Sequence, residues 1–144
     1  MTRRARHALA GHASAVALVL LATLALALAT GARAAEPRIA LTISFWENGS
    51  EPETKITWTL RCDPPAGTWP RRSAACANLE RADARRAFRP VPRGVACTEI
   101  FGGPQVALVT GRMNGRRVWA RFSRENGCQI ARWDRLVKLR LLPG

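Results

Sequence analysis

The sequence predicts a small α+β domain held by two disulfides, with a mainly antiparallel sheet of about five strands and one clear helix; three observations carry that reading. Short runs alternating apolar and polar residues recur along the chain, each bounded by Gly, Pro, Asn or Asp. One central stretch is instead rich in Ala, Leu, Glu and Arg. Four cysteines, Cys62, Cys76, Cys97 and Cys128, stand in a chain whose first residues read as an export signal.

That signal sets the compartment. Arg3, Arg4 and Arg6 form a positive tip, Ala13 to Ala29 is almost wholly apolar, and Ala32 and Ala34 give the A-x-A pattern that a signal peptidase reads. The apolar run, about 17 residues, sits at the short limit for crossing a bilayer, so it reads as a removed leader. The expected organisation is a signal peptide over 1–34, with Ala35 the neighbouring alternative for the cut, and one secreted, extracellular domain over 35–144. No membrane association is expected after cleavage. The full chain carries 23 Lys and Arg against 10 Asp and Glu, and loss of Arg3, Arg4, Arg6 and Arg33 leaves 19 against 10, or +9. Such a charge attracts anionic surfaces without specifying one.

Both histidines, His7 and His12, lie in the leader, and the chain has no tyrosine. A domain without histidine lacks Ser-His-Asp and Cys-His machinery, so no enzyme is expected. Cysteine separations of 14, 21 and 31 lack the close pairs of a thiolate zinc site, and neither metal nor cofactor is expected. Four cysteines in an exported chain read as two disulfides with three possible pairings. Cys62 with Cys76 and Cys97 with Cys128 is favoured, the first closing a Pro- and Gly-rich loop and the second bridging a hairpin. Each closure contributes about 3 kcal/mol by the chain-entropy account.

Taken in order, Ile39 to Phe45 places Ile39, Leu41, Ile43 and Phe45 on one face and Ala40, Thr42 and Ser44 on the other, a half-buried strand. Glu47 to Glu53 is a loop by composition, with Asn48-Gly49 its tightest turn and Pro52 excluding a central strand. Lys55 to Arg61 repeats the alternation with Ile56, Trp58 and Leu60 inward, so the two runs pair as an antiparallel sheet with one wet face. Asp63 to Arg72 is a stiff excursion with three prolines, in which Trp69 is expected to cover the core. Ser73 is expected to cap a surface helix over 74–88, pinned by Cys76 and stopped by Pro90 and Pro92. Its basic set, Arg81, Arg85, Arg86 and Arg89, comes with no interleaved aromatic surface, helix-turn-helix or zinc-finger pattern, so it reads as a solvated face and no specific nucleic-acid partner is expected.

Val95 to Phe101, VACTEIF, is a short extended segment that begins beside Cys97 and ends before Gly102, Gly103 and Pro104. It suits a loop held out toward a partner. Gln105 to Thr110 reads as the next strand, and Gly111 to Arg116 as a turn whose Asn114-Gly115 is the strongest hairpin signal in the chain. Arg117 to Ser123 returns, with Val118, Ala120 and Phe122 opposed to Trp119 and Arg121. Glu125 to Gly127 makes another turn, and Leu136 to Leu142 alternates as a closing strand.

Leu60 to Leu79, followed by VACTEIF, by GRMNGRRV over 111–118 and by NGC over 126–128, resembles the Streptomyces subtilisin inhibitor family, secreted protein inhibitors of serine proteases. The resemblance rests on Cys62, Gly67, Pro70, Ala75, Cys76, Leu79, Cys97, Gly111, Gly115, Arg117, Val118, Asn126 and Cys128. It implies the same disulfide pairing, a second helix (one or two short helices in all) and a homodimer formed through the sheet. It further implies a reactive loop with Cys97 at P3, Thr98 at P2, Glu99 at P1, Ile100 at P1′ and Phe101 at P2′, supported from behind by Asn126. Such a loop lies across a protease cleft like an added strand, and a cut bond whose two halves are both held stays positioned to rejoin.

The implied partner is an extracellular serine protease. Glu99 suits a glutamate-preferring enzyme, because a carboxylate entering an apolar pocket loses hydration without gaining a partner. A tolerant subtilisin-like enzyme is the other candidate. Three departures stand out: the family's Tyr-Asp-Pro after P1′ is here Phe101-Gly102-Gly103-Pro104, which is expected to loosen the primed side; Arg124 stands where the family has an aromatic residue; and Met113 replaces the hairpin tryptophan. The competing reading is a non-inhibitory basic secreted module that binds anionic polymers or surfaces. An exposed, extended Ala96 to Phe101 favours inhibition, and a buried strand there favours the module.

Overall fold

Alternation of apolar and polar residues becomes a four-stranded antiparallel sheet in the computed structural model, which describes residues 36–49, 55–81 and 83–144. The leader and Pro52 lie outside the described residues. Strands β1 (Ile39–Trp46), β2 (Lys55–Cys62), β3 (Val106–Met113) and β4 (Arg116–Ser123) run in the order β2-β1-β3-β4. Register carries Ile43 opposite Trp58 on one side and Val109 on the other, with Val109 opposite Ala120, so one face is apolar across all four strands. Ile56 shares that face but lies at its margin, 47% exposed. The Asn114-Gly115 turn has φ of 51° and 73°, the left-handed pair a two-residue hairpin needs. It is tighter than the six residues expected, because β3 continues through Gly111 to Met113.

Helix α1 (Arg72–Leu79), a 3-10 helix (Ala84–Phe88) and helix α2 (Gly127–Lys138) accompany the sheet. The long helix expected over 74–88 is therefore two pieces. Ala75, Cys76 and Leu79 are buried from the first, and Ala84 and Ala87 from the second. A continuous helix from Leu79 would have turned Arg86 inward; the break after Leu79 resets the phase and leaves Arg86 exposed. Arg71, not Ser73, precedes the first helical residue, and its side chain makes no capping bond.

The closing strand expected over Leu136–Leu142 is a correction: Leu136 to Lys138 end α2, and the rest is a turn. Trp133 and Leu136 are buried and Ile130 and Val137 half-buried, a helical spacing hidden by the accidental alternation of LVKLRLL. Arg140 at φ 62° reverses the chain while Leu141 N–H donates to Leu136 O and Arg140 N–H to Val137 O. That is a Schellman ending with arginine where glycine is usual. It turns both Leu141 and Leu142 into the core. The sheet accordingly has four strands, not five.

Trp69 covers the core as expected: it is 4% exposed, meets Trp58 edge-on at 4.9 Å, and donates its Nε1–H to Arg140 O at 2.8 Å. Trp58 in turn faces Phe45, and Phe45 faces Trp133. Cys62–Cys76 and Cys97–Cys128 are the two disulfides. The second spans the β3–β4 hairpin as expected, joining the irregular loop before it to the first turn of α2 after it.

Each margin of the sheet makes contacts beyond the strands. On β2, Arg61 N–H donates to Ala66 O, Ala66 N–H to Arg61 O and Trp69 N–H to Thr59 O, so the proline-rich excursion doubles back along the strand. On β4, the guanidinium of Arg132 takes Arg121 O.

Candidate functional site

Residues 89–105 have no regular structure, and their outermost part carries apolar side chains into solvent: Val95 is 49% exposed, Ile100 61% and Phe101 68%. Adjacent exposed Ile and Phe on a small domain mark a contact surface more than an ordinary turn. Thr98 and Glu99 are exposed too, and Cys97 half-buried. The segment Ala96 to Phe101 is an exposed loop and not a strand.

What holds the loop is short and local. The Cys97–Cys128 bridge, Cα–Cα 5.4 Å, secures its near side. One residue on, Thr98 O accepts from Gly127 N–H at 3.0 Å, and beyond Phe101 the Gly102 N–H donates to Arg124 O at 2.8 Å. Glu99 and Ile100 therefore lie between two backbone anchors that both belong to residues 124–128. Asn126 sits among those residues; its Oδ1 accepts from Gln129 N–H at 3.1 Å and caps α2, and its own carbonyl starts the helix by accepting from Ile130 N–H. It thereby fixes the turn that presents Gly127 and Cys128 to the loop.

Two glycines sit at close contacts with neighbouring side chains. A side chain on Gly127 would run into Thr98 Oγ1, and one on Gly102 would approach Ile130 Cδ1 to 2.8 Å. Gly103, at φ 133°, adopts a conformation side chains avoid. Gly102, expected with Gly103 to loosen the primed side, donates its N–H to Arg124 O and seats the loop backbone against Ile130 of α2. Gly127→Ala is expected to break the Thr98 contact and speed amide exchange at residue 127 by roughly three- to tenfold, the loss of one net hydrogen bond. Exchange rates unchanged from the parent would refute that seating.

Sequence reasoning missed the polar brace behind the far side. Arg124 Nη1 donates to Gln105 Oε1 at 3.2 Å, Gln105 Nε2 donates to Glu47 Oε1 at 3.2 Å, and Gly49 N–H donates to Pro104 O at 2.9 Å. Arg124 also lies over the Trp133 ring at 6.0 Å, so this exposed chain of bonds reaches the aromatic core. Its members come from four separate stretches, and no spacing in the sequence announces them.

The other notable cation is Arg132, 6% exposed, whose pKa is lowered first by burial and then by Arg135. Its Nε donates to Arg89 O at 3.0 Å, and its Nη1 to Arg121 O at 3.0 Å and Gln129 Oε1 at 2.7 Å, with Cζ 4.6 Å above Phe122. It ties the start of the irregular stretch to β4 and α2.

Comparison with known proteins identifies the family. A family described as subtilisin inhibitor-like matches residues 22–126. Subtilisin inhibitor-like protein 2 of Streptomyces rochei is 35% identical over 91 residues, which are 62% of this chain and 80% of that protein. Among solved structures, that of Streptomyces caespitosus sermetstatin in complex with Bacillus licheniformis subtilisin matches 73% of this chain and 97% of that one, at 24% identity and a TM-score of 0.46, too loose a likeness to transfer geometry.

Proposed function

The chain belongs to the subtilisin inhibitor-like family, and from that premise we propose that loop 95–105 engages its target protease as a substrate would, with Glu99 at P1 and Ile100 at P1′. The protein is a secreted, extracellular serine protease inhibitor and not an enzyme. The observation that supports the finer reading is the pair of anchors flanking Glu99–Ile100: Thr98 to Gly127 before it and Gly102 to Arg124 after it. Cutting Glu99–Ile100 would leave one new end held by Cys97 and Thr98 and the other by Gly102. With both ends tied to one five-residue turn, the amine stays near the acyl group, and resynthesis competes with hydrolysis. Ordering is largely complete before binding, which lowers the cost of association.

The exposed side chains assign the pockets. Thr98, Glu99, Ile100 and Phe101 would fill successive subsites while the loop backbone pairs with the cleft like a short strand. A subtilisin-like extracellular protease is the partner class, and the carboxylate of Glu99 favours one whose first pocket offers donors. The test is a time course of residual activity against a glutamate-specific serine protease and against subtilisin, with the parent and with Glu99→Leu. The substitution is expected to weaken inhibition of the first enzyme and strengthen that of the second, each by about 10- to 100-fold, because an apolar pocket no longer has to dehydrate a charge. Identical inhibition by parent and variant against both enzymes would remove Glu99 from P1.

A further inference from the structure

The two sides of the Glu99–Ile100 bond are held by different means. On the acyl side Cys97 is bonded covalently to Cys128. On the amine side Ile100 and Phe101 are 61% and 68% exposed, Gly102 and Gly103 have no side chains, and Pro104 is exposed. Gln105 is the first residue beyond the bond whose side chain can hydrogen-bond to the body, and its amide spans Arg124 Nη1 and Glu47 Oε1, 3.2 Å from each. Topology explains why these three meet. Trp46, Val106 and Ser123 face one another across β1, β3 and β4, and Glu47, Gln105 and Arg124 are the next row. The sheet is thus extended by one step, with side-chain bonds where the strands have ended. Alternation sets this row on the side of Phe45, Ala107 and Phe122, which carries the helices, and there Arg124 lies over the Trp133 ring. The opposite face of the sheet takes no part.

Gly103 belongs to the same device. A side chain there would run into Gln105 Oε1, so the glycine leaves the space in which the Gln105 amide reaches Arg124. We propose that Gln105 is a positioning residue for the amine side of the loop: through Arg124 and Glu47 it keeps the new amino end of a cut Glu99–Ile100 bond near the acyl group, and so sets how far the bond is resealed. This role rests on Glu99–Ile100 being the bond attacked. Loss of the brace changes the intact loop little, because the peptide bond still spans the gap, but it lets the cut end wander and lowers the effective concentration of the amine. The balance then shifts toward the cut chain. A brace that served folding alone would lower stability and leave that balance where it was.

The test is incubation of the secreted protein with a trace of glutamate-specific serine protease until the proportions of cut and intact chain are constant, read by mass spectrometry. The cut form is one water heavier and stays joined through Cys97–Cys128. Glu47→Ala removes one hydrogen bond and is expected to raise the ratio of cut to intact chain by about 3- to 10-fold; Gln105→Ala removes two and is expected to raise it by roughly 10- to 100-fold. The exchange Gln105→Glu/Glu47→Gln is expected to return the ratio to within about threefold of the parent, because a carboxylate at 105 accepts from Arg124 while an amide at 47 donates to it. Urea unfolding of each variant reports the state of the body. A ratio unmoved in folded Gln105→Ala, with the cut at 99–100, overturns the proposal and leaves the assignment of the bond standing. A cut at a different bond overturns both. A ratio raised as far in the exchange variant as in Gln105→Ala shows that the hydrogen bonds of the brace are not what holds the end, and overturns the proposal alone.

Discussion

Replacing Cys97 and Cys128 together by serine is expected to convert a protein that stalls a serine protease into one that the protease consumes. The bridge closes 31 residues, and its removal costs about 4 kcal/mol of stability by the chain-entropy account. The larger effect is local. Without the bridge, the acyl half of a cut Glu99–Ile100 bond would be held through Thr98 O and Gly127 N–H alone, a contact at an exposed position contributing about 1 kcal/mol. Each kilocalorie of lost restraint multiplies the escape of the cut end roughly fivefold, so the lifetime of inhibition is expected to fall by a hundredfold or more. Mass spectrometry of the 99–100 bond during a residual-activity time course checks this, and near-ultraviolet circular dichroism of the Trp69–Trp58–Phe45–Trp133 cluster reports whether the body stays folded. Long-lived inhibition by a folded double variant would show that the backbone anchors suffice.

The second large effect is expected at Arg132. Arg132→Met fills a similar volume and spares the cost of burying a charge, yet it strips the guanidinium from Arg89 O, Arg121 O and Gln129 Oε1. Restored hydration of these acceptors requires the helix to lift from the strand. We expect a loss of about 2–4 kcal/mol in urea unfolding, because abandoning buried acceptors outweighs relief of one desolvated cation. Arg132→Lys should fare little better, since an ammonium lacks the planar fork that spans three acceptors. A neutral or stabilised Arg132→Met would mean that the desolvation lowering this pKa dominates.

Arg132 also shows why part of the fold escaped the sequence. β1, β2 and β4 were legible because burial on one face of a sheet imposes a period of two, and Asn114-Gly115 because few residues accept its backbone. α2 was not. Its inward face includes an arginine, its end carries Arg140 in place of a glycine, and its last turn leads into a run that counterfeits a strand. For the loop, Cys97 and the segment after it were visible along the chain. The Arg124–Gln105–Glu47 brace and the seating of Gly102 on Ile130 exist only once distant stretches meet. Asn126, expected from the resemblance to support the loop, has its side chain on Gln129 N–H, where it begins α2.

Contacts at the margins of the sheet bear on where a protease can attack. A protease reads extended backbone with unpaired N–H and C=O groups, and a bare outer strand would serve as a decoy at which a visiting enzyme could dock unproductively or begin to unravel the domain. Here the excursion through Ala66 and Trp69 lies along one border, and Arg132 takes a carbonyl on the other. If Glu99–Ile100 is the bond attacked, as proposed, encounters would be favoured at a stretch whose cut ends both stay anchored, and the molecule would invite hydrolases at the place where they do it least harm.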